Sequence, residues 1–470
     1  MADVAGAVID QGAQDWQIFQ QDRRGRADIA LAGRWGSDKP AIVEMRLVRE
    51  DTAEPVATHL DWQPARTKPD GTWSGTLKDV PAGGLYRLET HLRIGPKDPV
   101  EWGPRGDMRH MLGVGDLWII TGQSNSAGFG RGPVYDPPEL GLHVFNNAMR
   151  WTIATQPMND STDTVHPVNR EASNPGHGPW LHFARTIKRR VGIPIGLIQV
   201  SLGGSGLCWW NPTEPGDHPL YDIMVAAVKA VGGRARGVLW YQGCSDTGPD
   251  AAATYEKRFV AAVRAWRKAM RDPRLAVLTV QINRVTGNLG ENVERAWTIL
   301  REAQRRAARR LPRVTVTPTL DLTLTDGIHV SPAGHMMLGQ RVAQAALATV
   351  YGLDVYYRAP EPKTAKATDG GRTVEIEFEN VAGRMDTIDG LAQPFRVEDA
   401  DGVVPVEKVE CTQSAMVRLR LARALAGKAV VHGAYGCNPP VAPCDMDRVM
   451  PMLGFYGFPI EPAGGKRSRR

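Results

Sequence analysis

Cysteine is scarce in this 470-residue chain, which holds five: Cys208, Cys244, Cys411, Cys437 and Cys444. So small and odd a set excludes a disulfide framework as the main source of stability. Cys437 and Cys444 are near enough in sequence to pair in an oxidising compartment, with two free thiols as the alternative. No CxxC pair or Cys/His cluster has zinc spacing, so no metal is expected. Long apolar runs are missing too. None approaches the roughly 20 residues that a membrane helix needs, and no membrane partner is expected. The N-terminus has no basic segment followed by a long apolar one, so no signal peptide is expected. That leaves a cytoplasmic protein, or a secreted or periplasmic one if a leader was removed. Internal repeats are absent. The formal charge is +6, and much of the excess is local. It lies in the tail Lys466-Arg467-Ser468-Arg469-Arg470 and in a helical stretch with Arg301, Arg305, Arg306, Arg309 and Arg310. No basic stripe interleaves with stacking aromatics, so nucleic acid is not an expected partner. A solvated helix face and a basic tail account for the charge.

What is present is ordinary for a globular protein: 42% hydrophobic and 23% charged residues. At roughly 100–200 residues per domain, the length predicts two to three domains. Residues 1–110 carry short alternating segments such as Ala27–Leu31, Ala41–Leu47 and Leu85–Thr90. Pro69-Asp70-Gly71 and Pro81-Ala82-Gly83-Gly84 punctuate them, which is the pattern of a β-rich, sandwich-like domain. Across residues 111–355, apolar strand-like runs alternate with amphipathic helical ones. Strands are expected at Leu117–Thr121, Ile195–Val200, Gly237–Tyr241, Leu275–Ile282 and Val314–Thr317. Helices are expected at about 180–190, 220–231, 251–270, 292–310 and 332–350. Alternation of this kind predicts a parallel sheet covered on both faces. Residues 356–470 return to strand patterning, as in Thr373–Phe378 and Ala429–Tyr435, and predict a second β-rich domain. The apolar piece Pro451–Pro459 is expected to pack back onto the body.

Each central strand runs into a polar, glycine-containing segment. These are Gly122-Gln123-Ser124-Asn125, Ser201-Leu202-Gly203-Gly204-Ser205, Gln242-Gly243-Cys244-Ser245-Asp246 and Asp326-Gly327-Ile328-His329. Ligands of parallel sheets bind beyond the carboxyl ends of the strands, so the four segments should converge on one rim. Their chemistry fits acyl transfer. The Ser124 hydroxyl needs a base to attack, and the His329 imidazole can serve. Asp326, three residues earlier, can fix the tautomer of that ring. Asp321 competes with it, and adjacency to His329 favours Asp326. Donors for an oxyanion could be the Ser124 N–H, the Gly204 N–H and the Gln242 side-chain amide. A metal pair of His329 and His335 would lack a third ligand.

These four blocks resemble the SGNH (GDSL-type) hydrolase superfamily, in particular its sialate O-acetylesterase and carbohydrate acetylesterase branch, marked by Gly-Gln-Ser-Asn. Trp240-Tyr241-Gln242-Gly243 and Asp326-x-x-His329 carry the resemblance further, over about half of the chain. It implies a flavodoxin-like three-layer α/β/α domain flanked by β-rich domains. It implies no cofactor, and an activity that removes O-acetyl groups from sialic acid, xylan or a related glycan through an acyl-serine. Ser124, His329 and Asp326 would then be nucleophile, base and orienting acid. Ser124, Gly204 and Gln242 would form the oxyanion hole. One departure stands out, because such relatives commonly have glutamate where this chain has Cys244. That leaves substrate identity open, with Cys244 either a small inert thiol or a reactive one. Gln123, Asn125, Trp209, Trp210 and Asn211 are candidates for touching an acetylated carbohydrate, with core packing the alternative for the tryptophans. His177 could contact substrate or serve a turn. A catalytically decayed sugar-binding protein and a general aryl or lipid esterase are the rival functions.

Overall fold

The computed structural model describes residues 6–94, 105–287, 289–387, 394–440 and 442–462. The basic tail 466–470 lies outside them. At the centre is a row of strands in the order Trp151–Ile153, Leu142–Phe145, Ile195–Gln199, Arg105–Gly122, Gly237–Tyr241, Ala276–Val280, Val314–Thr317. All neighbours in the row are parallel except the first pair. Helices Trp180–Val191, Pro219–Ala230, Pro249–Ala269, Glu291–Arg310 and Pro332–Thr349 alternate with these strands. They begin and end within a few residues of the positions their apolar periodicity predicts.

Side chains of an extended strand alternate between faces, and the strand 105–122 illustrates the result. Leu117 and Ile119 enter one core with helices 219–230, 249–269 and 291–310. Trp118 and Ile120 enter another with helices 180–191 and 332–349. Buried on both faces, the strand is an almost continuous apolar run rather than an alternating one.

The strand 105–122 is 18 residues long and does two jobs. Its first half pairs with Gly83–Ile94, antiparallel, and with Ile18–Gln20, parallel. Its second half is the middle of the parallel row. The result is one mixed sheet of 11 strands, with N-terminal and central regions sharing backbone hydrogen bonds. A second N-terminal sheet of four strands closes over the first around Leu31, Leu47, Trp73 and Leu88. The C-terminal region holds two four-stranded sheets and a three-stranded one around Val374, Ile376, Val397, Val431 and Phe455. The fold is therefore mixed α/β, with a large mixed sheet and additional β-rich regions.

The basic helix 291–310 departs from the expected solvated face. Arg301 and Arg305 are buried. Arg301 donates to the carbonyls of Ile282, Asn283, Ala434, Gly436 and Cys437 and so ties the C-terminal region to the central strand ends. Its guanidinium finds five carbonyls and no carboxylate, and burial pushes its pKa down to about 9. Arg305 bridges Glu302 and Glu361. Only Arg306, Arg309 and Arg310 face solvent, where they pair with Glu256, Glu361 and Glu379. The residues beyond 310 that pack on this helix decided which arginines were covered, and helical periodicity could not reveal that. All five cysteines are free. Cys437 and Cys444 sit in separate packings, beside Arg301 and in the three-stranded sheet, so the sequence proximity does not make a disulfide. No helix among the described residues is long and apolar enough to cross a membrane.

Candidate active site

The strand 105–122 ends at Gly122, whose φ is +116°. A side chain there would strike the Tyr241 carbonyl at 2.3 Å, so only glycine lets the chain turn. The short helix Ser124–Ala127 follows at once. Ser126 fixes its position by donating its hydroxyl to the Thr121 carbonyl (2.7 Å), and Trp180 Nε1 donates to the Ser126 carbonyl (2.8 Å). Ser124 is left half-buried at the rim. Its hydroxyl and its backbone N–H have no hydrogen-bond partner among the described residues, His329 included.

Asn125 ties Ser124 to the histidine loop. Its Oδ1 accepts from the Val330 N–H (2.9 Å), and its Nδ2 donates to the Ile328 carbonyl (3.2 Å). Those two peptide groups flank His329. Asn283 braces the same carbonyl, donating Nδ2 at 2.6 Å. The residue after the serine therefore brackets the histidine from both sides. Phe129 stacks on the His329 ring, with centroids 5.1 Å apart.

Within the loop, Asp326 Oδ1 accepts from the N–H groups of Ile328 (2.8 Å) and His329 (2.7 Å). Its Oδ2 accepts from His329 Nδ1 (2.7 Å). A carboxylate can only accept, so the proton sits on Nδ1 and Nε2 keeps a free lone pair. Burial alone would raise the Asp326 pKa. The two amides and the ring outweigh it and hold the carboxyl below its ordinary value. Asp321 is spent elsewhere, as a partner of Arg341 at 2.6 Å.

The loop after strand 195–199 brings Gly204, with φ +71° and open space where a side chain would stand. Its N–H is unpaired among the described residues, while its carbonyl accepts from Ser245 Oγ (3.1 Å). Glu171 anchors the preceding residue, its Oε1 accepting from the Gly203 N–H (2.9 Å). Burial pushes the Glu171 carboxyl above its ordinary value, against the hydrogen bonds from Gly203 and Asn159.

Several side chains expected to face substrate are already occupied. Gln242 is fully buried. Its Nε2 donates to the Ser205 carbonyl (3.2 Å) and to Asp246 Oδ2 (2.7 Å), and its Oε1 accepts from Tyr255 (2.9 Å). Both amide protons are spent, so Gln242 is a loop brace and not an oxyanion donor in this arrangement. Gln123 accepts from the N–H groups of Gly243 (3.0 Å) and Ser245 (3.2 Å). Asn211 bonds Glu214, Thr213 and the Arg258 carbonyl. Trp210 is core, edge-on to Trp240. With Asn125, these residues build the rim rather than line it. Trp209 alone of the five candidates presents a large exposed surface. His177 is buried, bonded to Asp136 (3.0 Å) and stacked on His335.

Asp246 escaped the sequence reading. Two residues past Cys244, it ties its own loop to the 207 loop and to helix 249–269 by accepting from Gln242 Nε2 (2.7 Å), the Leu207 N–H (2.8 Å) and Arg258 (2.8 Å). Cys244 packs on the core, and burial pushes its thiol up to about 12, so it is protonated at neutral pH and no thiolate nucleophile is available. His335 is wholly buried, neither of its nitrogens has a hydrogen-bond partner among the described residues, and burial lowers its pKa to about 3. Among the described residues no group of three or more His, Cys, Asp or Glu side chains could hold a metal.

Comparison with known proteins places this rim in a family. Residues 114–348, half of the chain, match the family described as "Carbohydrate esterase, sialic acid-specific acetylesterase". A protein of Arabidopsis thaliana described as a probable carbohydrate esterase is 28% identical over 256 residues, 49% of this chain and 90% of its own. A solved structure from the same plant is 27% identical, covers 50% of this chain and 98% of its own, and has a TM-score of 0.42. The solved structure of a carbohydrate acetylesterase from Xanthomonas citri covers 96% of this chain and 99% of its own. At 23% identity and a TM-score of 0.67, it shares the fold through the flanking β-rich regions as well. The chain belongs to the carbohydrate esterase family described as sialic acid-specific acetylesterases.

Proposed function

We propose that this protein is a serine esterase that removes O-acetyl groups from a carbohydrate such as an acetylated sialic acid, xylan or related glycan. The observation that carries the proposal is the bracket of Asn125 around His329, with Asp326 accepting from Nδ1 so that Nε2 is left as the basic nitrogen. In the reaction, Ser124 Oγ bonds to the acetyl carbon as its proton passes to His329 Nε2. The carbonyl oxygen becomes an oxyanion, for which the unpaired N–H groups of Ser124 and Gly204 are the donors. The C–O bond to the sugar breaks and the sugar oxygen takes the proton from His329. Water, deprotonated by the same ring, then releases acetate and restores Ser124.

The central body supports a flavodoxin-like three-layer assignment. Setting aside the additional parallel strand Leu142–Phe145, which pairs on the outer side of 195–199, and counting strands 105–122, 195–199, 237–241, 276–280 and 314–317 from one to five, the spatial order is 2-1-3-4-5. On this assignment residues 111–355 form the catalytic domain, between β-rich domains at 1–110 and 356–470. Trp209 offers an indole face for a sugar ring.

The test is acetate release from a panel of defined acetylated glycans and aryl esters by the wild type and Ser124→Ala, with circular dichroism to establish folding. A folded variant that loses about 10,000-fold or more of the activity supports the proposal. Retained activity would overturn the nucleophile. Faster cleavage of long acyl chains than of acetyl would favour a general lipid or aryl esterase. Glycan binding without any turnover would favour a decayed binding protein.

A further inference from the structure

The amino ends of the parallel strands, opposite the rim just described, enclose a cleft of about 1040 Å³. Lys229, Arg234, Arg236, Arg271, Arg274 and Arg313 line it, and Arg23 contributes from the N-terminal segment facing them. Two acids share the lining, Asp22 and Asp272. Asp22 is taken by Arg24, through its side chain at 3.0 Å and its amide at 2.8 Å, and Asp272 accepts from the Arg274 amide at 2.8 Å. Arg236 lies 3.6 Å from the buried Asp116. Asp272 lies near enough to Arg313 for its charge to act on that guanidinium, and Lys229, Arg234, Arg271 and Arg274 have no acidic partner among the described residues. The Nε groups of Arg236 and Arg313 are buried without a hydrogen-bond partner among the described residues.

Helix dipoles do not account for this set. Cations are favoured in the last turn of a helix, and Lys229 holds such a place. Arg234, Arg236, Arg271, Arg274 and Arg313 lie beyond the helices, in the turns. Arg271 and Arg313 hold left-handed φ angles of 52° and 58°, where glycine or asparagine would fit with less strain. Arg236 and Arg313 stand immediately before their strands, and Arg274 two residues before the strand between them. The three arginines thus form a row across adjacent strands. Burial lowers the pKa of Arg313, and the nearby guanidinium groups of Arg274 and Arg236 lower it further against the opposing charge of Asp272, so the cations feel one another.

Strands are about 4.8 Å apart, so the row spans roughly 10 Å, too wide for one oxyanion to neutralise. The lining has no aromatic ring to stack a base or a sugar. We propose that this cleft is a binding site, separate from the esterase rim, for a ligand presenting two or more oxyanions, held by guanidinium forks. Phosphate and carboxylate groups both match that fork, so the chemistry comes either from a short polyphosphate or from an acidic, uronate-type oligosaccharide.

Titration calorimetry on the full chain tests the proposal with inorganic triphosphate, oligogalacturonate and a neutral oligosaccharide of equal length, at low and high salt. Binding of either anion but not of the neutral sugar is expected, weakening as salt rises. Triphosphate alone would identify a phosphate ligand, and oligogalacturonate alone an acidic glycan. The double variant Arg234→Glu/Arg274→Glu, at two exposed turn positions, should bind about tenfold or more weakly. Its hydrolysis of a small acetyl ester should be unchanged, so loss of the site and failure of the proposed esterase chemistry remain distinguishable. No binding of either anion, or equal binding by the folded double variant, would overturn the proposal.

Discussion

At the carboxyl ends of the central strands, Gln123, Asn125, Gln242 and Asp246 spend their polar groups on one another's loops. At the amino ends of the same strands, Arg234, Arg271 and Arg274 stand without acidic partners among the described residues. Satisfied, buried hydrogen bonds fix one geometry, as the proposed reaction, which depends on placing a nucleophile, a base and two N–H donors, requires. Unneutralised like charges cost stability, and a bound anion would recover it. One end of the sheet is organised for position and the other for charge.

The largest expected effect lies at the positioned end. Asp326→Asn keeps the loop's size but no longer favours the proton on Nδ1 of His329. It should lower kcat for acetyl-ester hydrolysis by about 1,000- to 10,000-fold with little change in KM or fold. A drop below about tenfold would remove Asp326 from the proposed triad.

Asn125→Ala comes next. It strips the Val330 N–H and the Ile328 carbonyl of a buried partner, at a cost of about 1–3 kcal/mol of stability in urea unfolding. Because His329 sits between those groups, kcat should fall by about 10- to 100-fold in protein that remains folded. Stability loss with unchanged kcat would show that the bracket holds the fold but not the geometry.

Acid and salt should separate the two ends. His335, behind the rim, has its pKa lowered from 6.5 to about 3 by burial, and His143 from 6.5 to about 4, also chiefly by burial. Both are neutral in the fold, whereas the unfolded chain takes up a proton on each below about pH 6.5. Their contribution is therefore present above that pH. It is lost on acidification at about 1.4 kcal/mol per pH unit per group, down to the folded values. Urea unfolding between pH 7 and pH 5 measures it, and replacing His335 by Asn should flatten the slope. Asp326, with its lowered pKa, contributes stability above its unfolded value of 3.8 and loses it only at more acidic pH. Ligand binding at the arginine end should respond to salt far more than this slope does.

The smallest effect is expected at Cys244. With its thiol pushed up to about 12, alkylation at neutral pH should be slow, and Cys244→Ala should keep hydrolysis within about twofold. A large loss would mean that the thiol itself takes part in the site.

The central strands and helices were legible because buried faces impose their periodicity on the sequence. Leu117–Ile120 feeds two cores, and the helix near 220 carries its apolar stripe at spacings of three and four. The rim was legible because strand ends run into short polar loops, so Ser124, Gly204 and the Asp326/His329 loop could be found by position. Continuity of strand 105–122 across the N-terminal and central regions was not legible, since pairing partners lie far off in sequence. Nor was the burial of Arg301, whose five carbonyl partners come from segments around 282 and 435. The arginine cleft draws on segments around residues 23, 230, 272 and 313 that no local window joins.

By itself the sequence determined the order of elements and the local chemistry of each loop, since hydrophobic periodicity, glycine at Gly122 and the three-residue spacing of Asp326 and His329 act over short range. The tertiary structure alone decided which polar groups remain free. An amide such as that of Gln242 or Asn125 can serve a substrate or a neighbouring backbone equally well. The choice between them is made by whatever packs within about 3 Å.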